Sequence, residues 1–362
     1  MSKVIRTGFE FPNGWYPGTG LSSNVDAPSV ESGQFGRSGK QIRLYERVAQ
    51  IHSATADFRV SVSTASFTDG FGATFQFAAG TYLSSPTRSI PLLVWRSGST
   101  MHHIQLRQNR LEYVTSTYAA NFSYRWAPNS ASTNTHTLVA SKVLSATPSA
   151  SVWYPVSILA NGTELRASFD SQELVVAGAS GAIAEMALIG AINLIYGSTD
   201  SGTYDDNFLP NAAYGGLYDD VAINDLSGTT DNALPGFIRA LPATYTVAAT
   251  AGWTDTANLD DANPATQAGA NGTLELDVED TPVAYTGVEG VNVFVQNIEG
   301  VGEASVMTAT VDNGAAVSDN DTVAAALLPS DDVAKLYGKA SEGGDWTAAE
   351  WDSAKVKLTV TP

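Results

Sequence analysis

The chain contains no cysteine. That excludes a disulfide framework, a thiolate metal site and a cysteine nucleophile, and it leaves the redox compartment open. Basic residues are scarce: 19 Lys and Arg stand against 37 Asp and Glu, a formal net charge of −18. Such a field repels nucleic acid and anionic membranes, so neither is expected as a partner. No apolar run approaches the length of a bilayer span, and the first residues, MSKVIRTGFEF, lack the apolar core of a signal peptide. The expectation is a soluble protein made in the cytoplasm without that export signal.

What is present points to strands. The 362 residues are enough for two domains, and 43% hydrophobic residues are enough to fill ordinary cores. Only 15% are charged, and 32 glycines with abundant Ser and Thr suit an all-β chain with many turns. The acidity is uneven. Up to Thr230 there are 14 basic and 17 acidic residues, a net of −3; after it there are 5 and 20, a net of −15. The acidic C-terminal third reads as a separate module, whose charge keeps an abundant assembly component soluble.

Short alternating segments recur with turn signals between them. Val4–Phe11 reads as a first strand that pairs with the last one of its domain. Gln41–Val48, Phe58–Ser63, Phe71–Phe77, Ile90–Arg96, Met101–Arg107 and Leu111–Ser116 follow, which indicates a sandwich or barrel of antiparallel sheets. Val152–Ala160, an Asn161-Gly162 turn, Glu164–Phe169, an Asp170-Ser171 turn and Glu173–Ala177 form the clearest hairpins. Ala187–Tyr196 is the strongest apolar run and reads as a buried strand, with a short helix as the alternative. Tyr214–Asp225 runs from a Gly-Gly turn into alternation at Leu217, Asp219, Val221 and Ile223, the pattern of a half-buried strand that closes the domain. Beyond it, Leu274–Val278, Val291–Gln296, Ala304–Val311 and Ala354–Val360 predict a compact β domain of about four to six strands.

The order of an early FE strand, a bulky hairpin around Trp153 with Asp170 in a tight turn, and a terminal YDDVAIND strand resembles the concanavalin A-like (laminin G-like) jelly roll over residues 1–228. The continuation resembles the tail region of many tailed-bacteriophage virion proteins. It contains a short strand and Pro at Phe237–Pro242, the Gly252-Trp253-Thr254 turn, an acidic segment, then Asp345–Trp351 and a final strand. The aspartate-rich, Tyr-containing middle of those proteins is matched loosely by Leu274–Tyr285. The resemblance implies a two-sheet jelly-roll sandwich at 1–228 followed by a smaller acidic β domain at 229–362.

No catalytic signature is present. His102 and His103 are adjacent on a strand and face opposite sides, so they do not converge on one metal. His52 and His136 stand alone. Carboxylate pairs occur at Asp205-Asp206, Asp219-Asp220, Asp260-Asp261 and Asp331-Asp332. Laminin G-like folds sometimes carry calcium at a sheet rim, an ion that takes roughly six to eight oxygen ligands, but no segment has the spacing of a calcium loop. Alternation also places Asp219 and Asp220 on opposite faces, and solvated carboxylates with local turn hydrogen bonds are the preferred reading. A glycosidase of this shape would place two Glu one residue apart on a sandwich strand; the E-x-D and D-x-E spacings here, Glu275-Leu276-Asp277 and Asp277-Val278-Glu279, lie in the acidic module. No catalytic, cofactor-binding or metal-ligating residue is assigned.

The expectation is therefore a non-enzymatic virion component of a tailed phage, in the tail or tail tip rather than the head, with other virion proteins and copies of itself as partners. Two alternatives share the architecture: a capsid decoration protein, and an adhesin that binds a host-surface glycan. The aromatic stretches Trp15-Tyr16, Tyr118–Trp126 and Tyr204–Tyr214 motivate the adhesin, although Trp15-Tyr16 is read first as capping a core edge.

Overall fold

The structure is a computed structural model and describes residues 3–8, 29–32, 40–44, 58–60, 67–79, 88–117, 135–178, 185–188, 192–196, 201–204, 216–227, 229, 232–241, 244–254, 266–267, 272–298, 306–312, 321–324, 331–337 and 345–361. Among these, strands dominate and the sheets are antiparallel, as the composition predicts. The chain divides into two compact units, Met1–Ala240 and Leu241–Pro362.

The first unit is a sandwich of two eight-stranded sheets. One sheet runs Gln172–Ala177, Glu164–Phe169, Trp153–Asn161, Gly70–Ala79, Gly216–Asp225, Lys40–Leu44 and Ser29–Ser32. The first strand, Lys3–Thr7, pairs with Gly216–Asp225, so the beginning of the domain meets its end. The other sheet centres on the meander Arg88–Ser97, Thr100–Arg107, Arg110–Thr117 and Thr135–Val143. The predicted apolar strand 187–196 is two segments, Glu185–Leu188 and Ile192–Tyr196, both paired with Arg88–Ser97.

The core lies between the sheets because alternation points one row of each strand inward. Phe71, Ala73, Phe75 and Phe77 from one sheet meet Leu93, Trp95, Ile104 and Tyr113 from the other, all buried. Phe71 meets Trp95 edge-on, with ring centroids 5.3 Å apart. Each of the larger of these side chains contributes about 1.5–3 kcal/mol of burial. Gly70 has φ +105, and a Cβ there would stand 2.0 Å from the Ala160 oxygen, so this strand start requires glycine.

Two turns carry the neighbouring hairpins in different ways. Asp170 and Ser171 both adopt positive φ, 48° and 63°, the backbone of a type I′ turn. At the other hairpin Asn161 remains in its strand. Its Oδ1 accepts from Thr163 N at 2.9 Å and Glu164 N at 2.8 Å, so the side chain rather than a left-handed Asn backbone shapes that turn.

Gly216–Asp225 departs from the half-buried expectation: every residue in it is buried. One cause is a bulge. Asp219 pairs with Gln76 and Ala222 with Thr74, leaving one extra residue on this strand, and Asp220 takes φ 51°. Tyr218 faces the core before the bulge, and Val221 and Ile223 face it afterwards. The other cause is residues 233–240, which cover the outer side of the same strand. They were expected to carry a short strand at Phe237–Leu241, but 232–240 join no ladder.

The second unit is built on a five-stranded sheet in the order Tyr245–Ala251, Gly272–Val278, Lys355–Thr361, Val306–Asp312 and Asp321–Ala324. Its core gathers Leu274, Val311, Val356, Leu358 and Val360 around Trp346 and Trp351. A single helical turn, Ala348–Trp351, is closed by a capping box in which Thr347 and Glu350 bond each other's backbone, and Trp351 Nε1 donates to the Glu279 oxygen at 3.1 Å.

Candidate functional site

The bulge at Asp219-Asp220 builds the most charged buried site of the sandwich among the described residues. Flat alternation would separate the two carboxylates; the left-handed Asp220 turns both toward one guanidinium. Arg239 Nη1 donates to Asp219 Oδ2 at 3.1 Å and to Asp220 Oδ2 at 3.2 Å. Asp219 Oδ1 accepts from the Asp220 amide at 2.8 Å, and Asp220 Oδ1 from the Ala240 amide at 2.9 Å. Both aspartates are 1% exposed and the arginine 15%. The expectation of opposite faces is therefore corrected, for the local reason that an inserted residue resets the alternation.

The same segment is fastened along the strand. Thr74 Oγ1 donates to the Gly236 oxygen at 2.9 Å and Asn224 Nδ2 to the Ala233 oxygen at 3.0 Å. Arg6 in turn reaches the Ile223 oxygen at 3.1 Å and Asn224 Oδ1 at 2.7 Å. Two glycines make room: a Cβ on Gly72 would stand 2.8 Å from Leu234 Cα, and one on Gly8 2.5 Å from Ala240 Cβ.

A second polar group sits on the other sheet. His103, Gln105 and Glu112 are fully buried. Arg107 grips Glu112 with two nitrogens, Nη2 at 2.7 Å and Nε at 2.9 Å from Oε1, while Gln105 Nε2 donates to Oε2 at 3.1 Å. Charge-assisted pairing of this kind offsets the cost of burying the carboxylate.

His102 lies on the core side of the same strand, where it stacks on Trp95 at 5.2 Å and 6°. Its Nδ1 is 2.7 Å from the Tyr113 hydroxyl. Burial lowers His102 to about 4 and pushes Tyr113 up to about 12. At neutral pH the imidazole is uncharged and the phenol protonated. The two adjacent histidines thus occupy different environments.

In the second unit, Lys357 Nζ lies 3.0 Å from Asp312 Oδ2 and 3.6 Å from Glu275 Oε1, and the Asp312 hydrogen bond raises its pKa. Glu279 accepts from Thr244 Oγ1 at 2.8 Å, which holds its carboxyl below the usual range. Glu275 and Asp277 stand two positions apart on Gly272–Val278, the first half-buried and the second exposed.

His52, Asp205-Asp206, Asp260-Asp261, Trp15-Tyr16 and Tyr118–Trp126 lie outside the described residues. So do the side chains of His136 and Asp331-Asp332, and all of the third aromatic stretch except the backbone of Tyr204. Among the described residues, no three or more His, Cys, Asp or Glu converge to hold a metal ion, and no helix is long and apolar enough to cross a membrane. Arg239 and the Arg107–Glu112 pair were not anticipated. The first had a signal in the sequence: it is the single Lys or Arg between Arg166 and Lys335.

No family model matches the chain, and no curated protein matches it in sequence. Solved structures similar to it include the botulinum neurotoxin serotype D binding domain, at 10% identity and a TM-score of 0.37, over 62% of this chain and 47% of that one. A prokaryotic β-1,3-1,4-glucanase (lichenase) from a mouse hindgut metagenome matches at 7% identity and 0.36, over 62% of this chain and 99% of the enzyme. The CBM2 module of the evolved Dit of Lactobacillus casei BL23 phage J-1 matches at 9% identity and 0.30, over 62% and 95%. The chain spans about half of the toxin domain's length, and at these scores none of the likenesses bears on what the chain does.

Proposed function

We propose that the chain is a non-catalytic structural protein of a tailed-phage particle, belonging to the tail or tail tip and working through binding surfaces shared with other virion proteins and with copies of itself. The observation that carries this reading is the use made of the buried carboxylates. Asp219, Asp220 and Glu112 are each gripped by an arginine, so that these charges join one strand or segment to another. The order of jelly-roll and acidic module along the sequence supplies the phage setting, and the acidity of the C-terminal third suits a basic neighbour. Mass spectrometry of gradient-purified particles tests it: the chain is expected in stoichiometric amount with the tail fraction, and its absence from particles overturns the reading.

The aromatic stretches in the sequence favour one further reading, a glycan-binding adhesin, because sugar faces stack on aromatic rings. A glycan array probed with folded full-length protein separates the two. Specific, saturable binding supports the adhesin, and signal at background removes it.

A further inference from the structure

We infer that residues 233–240 form a releasable strap, which leaves the sandwich as one piece while the two sheets stay folded, and which the Asp219–Arg239–Asp220 contact holds shut. The inference stands apart from the phage setting. It begins from what the strap lacks. Asn232, Ala233, Leu234, Gly236 and Phe237 are exposed, and none of residues 233–240 belongs to the hydrophobic cluster between the sheets. Leu234 and Phe237 are 37% and 53% exposed, while Pro235 is buried and Ile238 half-buried, so only part of the segment's apolar area holds it down.

Its polar attachments include Asn224 to Ala233, Thr74 to Gly236, the two Arg239 contacts and the Ala240 amide to Asp220, and Leu234 and Pro235 lie against Gly72. None of them is a ladder bond, so removing the strap breaks no strand pairing. Regions with few apolar contacts and solvent-facing backbone open at a fraction of the global free energy. The strongest attachment is the guanidinium, placed at the last residues before the second unit begins at Leu241. Asp220 holds a positive φ, which a non-glycine residue adopts at a cost, and that conformation is what turns its carboxylate toward Arg239. Opening would uncover the outer side of Gly216–Asp225 and free the chain that leads into the second unit.

The sequence supplies its own reporter. Arg239 is the single tryptic site between Arg166 and Lys335, and trypsin must take that side chain into its pocket. Cleavage at Arg239–Ala240 therefore reads release directly. The test is limited trypsinolysis of the full-length chain, following the new Ala240 N-terminus by mass spectrometry across a series of urea concentrations below the unfolding transition. The Asp219→Asn, Asp220→Asn double variant keeps Arg239 and keeps residues that tolerate the left-handed backbone. Thr74→Val, nearly isosteric, removes one strap hydrogen bond and leaves the charges untouched.

The double variant is expected to be cut at least tenfold faster, and Thr74→Val a few-fold faster, each with a urea slope well below that of global unfolding. Unchanged rates in both variants overturn the inference. So does a cleavage slope equal to the global one, in wild type or variant, because the strap would then open only with the sandwich. If the double variant does not fold, Thr74→Val and the wild-type slope decide between the same two outcomes.

Discussion

Acidification should destabilise the sandwich through His102. This imidazole is 7% exposed, lies flat on Trp95 and meets the Tyr113 hydroxyl, and burial lowers its pKa from 6.5 to about 4. The unfolded chain takes up a proton near pH 6.5 that the folded chain refuses until near 4. The stability from this site is therefore complete above pH 6.5 and is lost as the pH falls through that window. At about 1.4 kcal/mol per unit, the loss is about 2 kcal/mol at pH 5 and reaches about 3 kcal/mol below pH 4. Other acids and histidines titrate too, so the clean quantity is a difference. Urea unfolding of wild type and His102→Phe, each at pH 8 and pH 5, should show wild type losing about 2 kcal/mol more than the variant. The phenylalanine keeps the stack, and the unpaired Tyr113 hydroxyl costs the variant the same at both pH values. Equal losses in the two proteins, or a His102 titration by NMR centred above pH 6, would refute the reasoning.

Three further outcomes follow from packing and pairing. Arg107→Met should cost about 3–5 kcal/mol by chemical denaturation, because it leaves the fully buried Glu112 without its guanidinium, and Glu112→Gln in the same background should recover part of that loss. Gly70→Ala should prevent the sandwich from reaching its native aromatic circular dichroism, since a Cβ would overlap the Ala160 carbonyl at a φ that alanine disfavours. Thr347→Ala should lower the stability of the second unit by about 1 kcal/mol through loss of the capping box and leave the sandwich unchanged, measured by hydrogen exchange resolved by unit.

The strands were legible where alternation met a core. Phe71–Phe77, Met101–Arg107 and Glu164–Phe169 were read almost to the residue, because one face of each packs between the sheets and period two survives in the letters. Thr135–Val143 was missed; its exposed Val139 and Val143 break the apolar pattern at a sheet position. Gly216–Asp225 was recognised as the closing strand but misread in detail. Leu217, Asp219, Val221 and Ile223 look like one face, whereas the bulge places Tyr218 with Val221 and Ile223. Nothing local announces that extra residue, since an aspartate at positive φ is stabilised by Arg239, 19 positions away. The strap was illegible for the same reason. Several of its attachments are polar side chains meeting backbone oxygens, such as Thr74 to Gly236 across 162 positions, and periodicity does not register them. Arg107 and Glu112 follow from the register of the hairpin through Gln108 and Asn109, so that pair was within reach of the sequence.

The proposed virion role requires the chain to assemble with copies of itself, and the mass of the full-length protein in solution tests that most directly. Multi-angle light scattering with and without EDTA should give the mass of two or more chains of 37.9 kDa each, and chelation should not change it. A mass of one chain, held up to high protein concentration, would contradict the account.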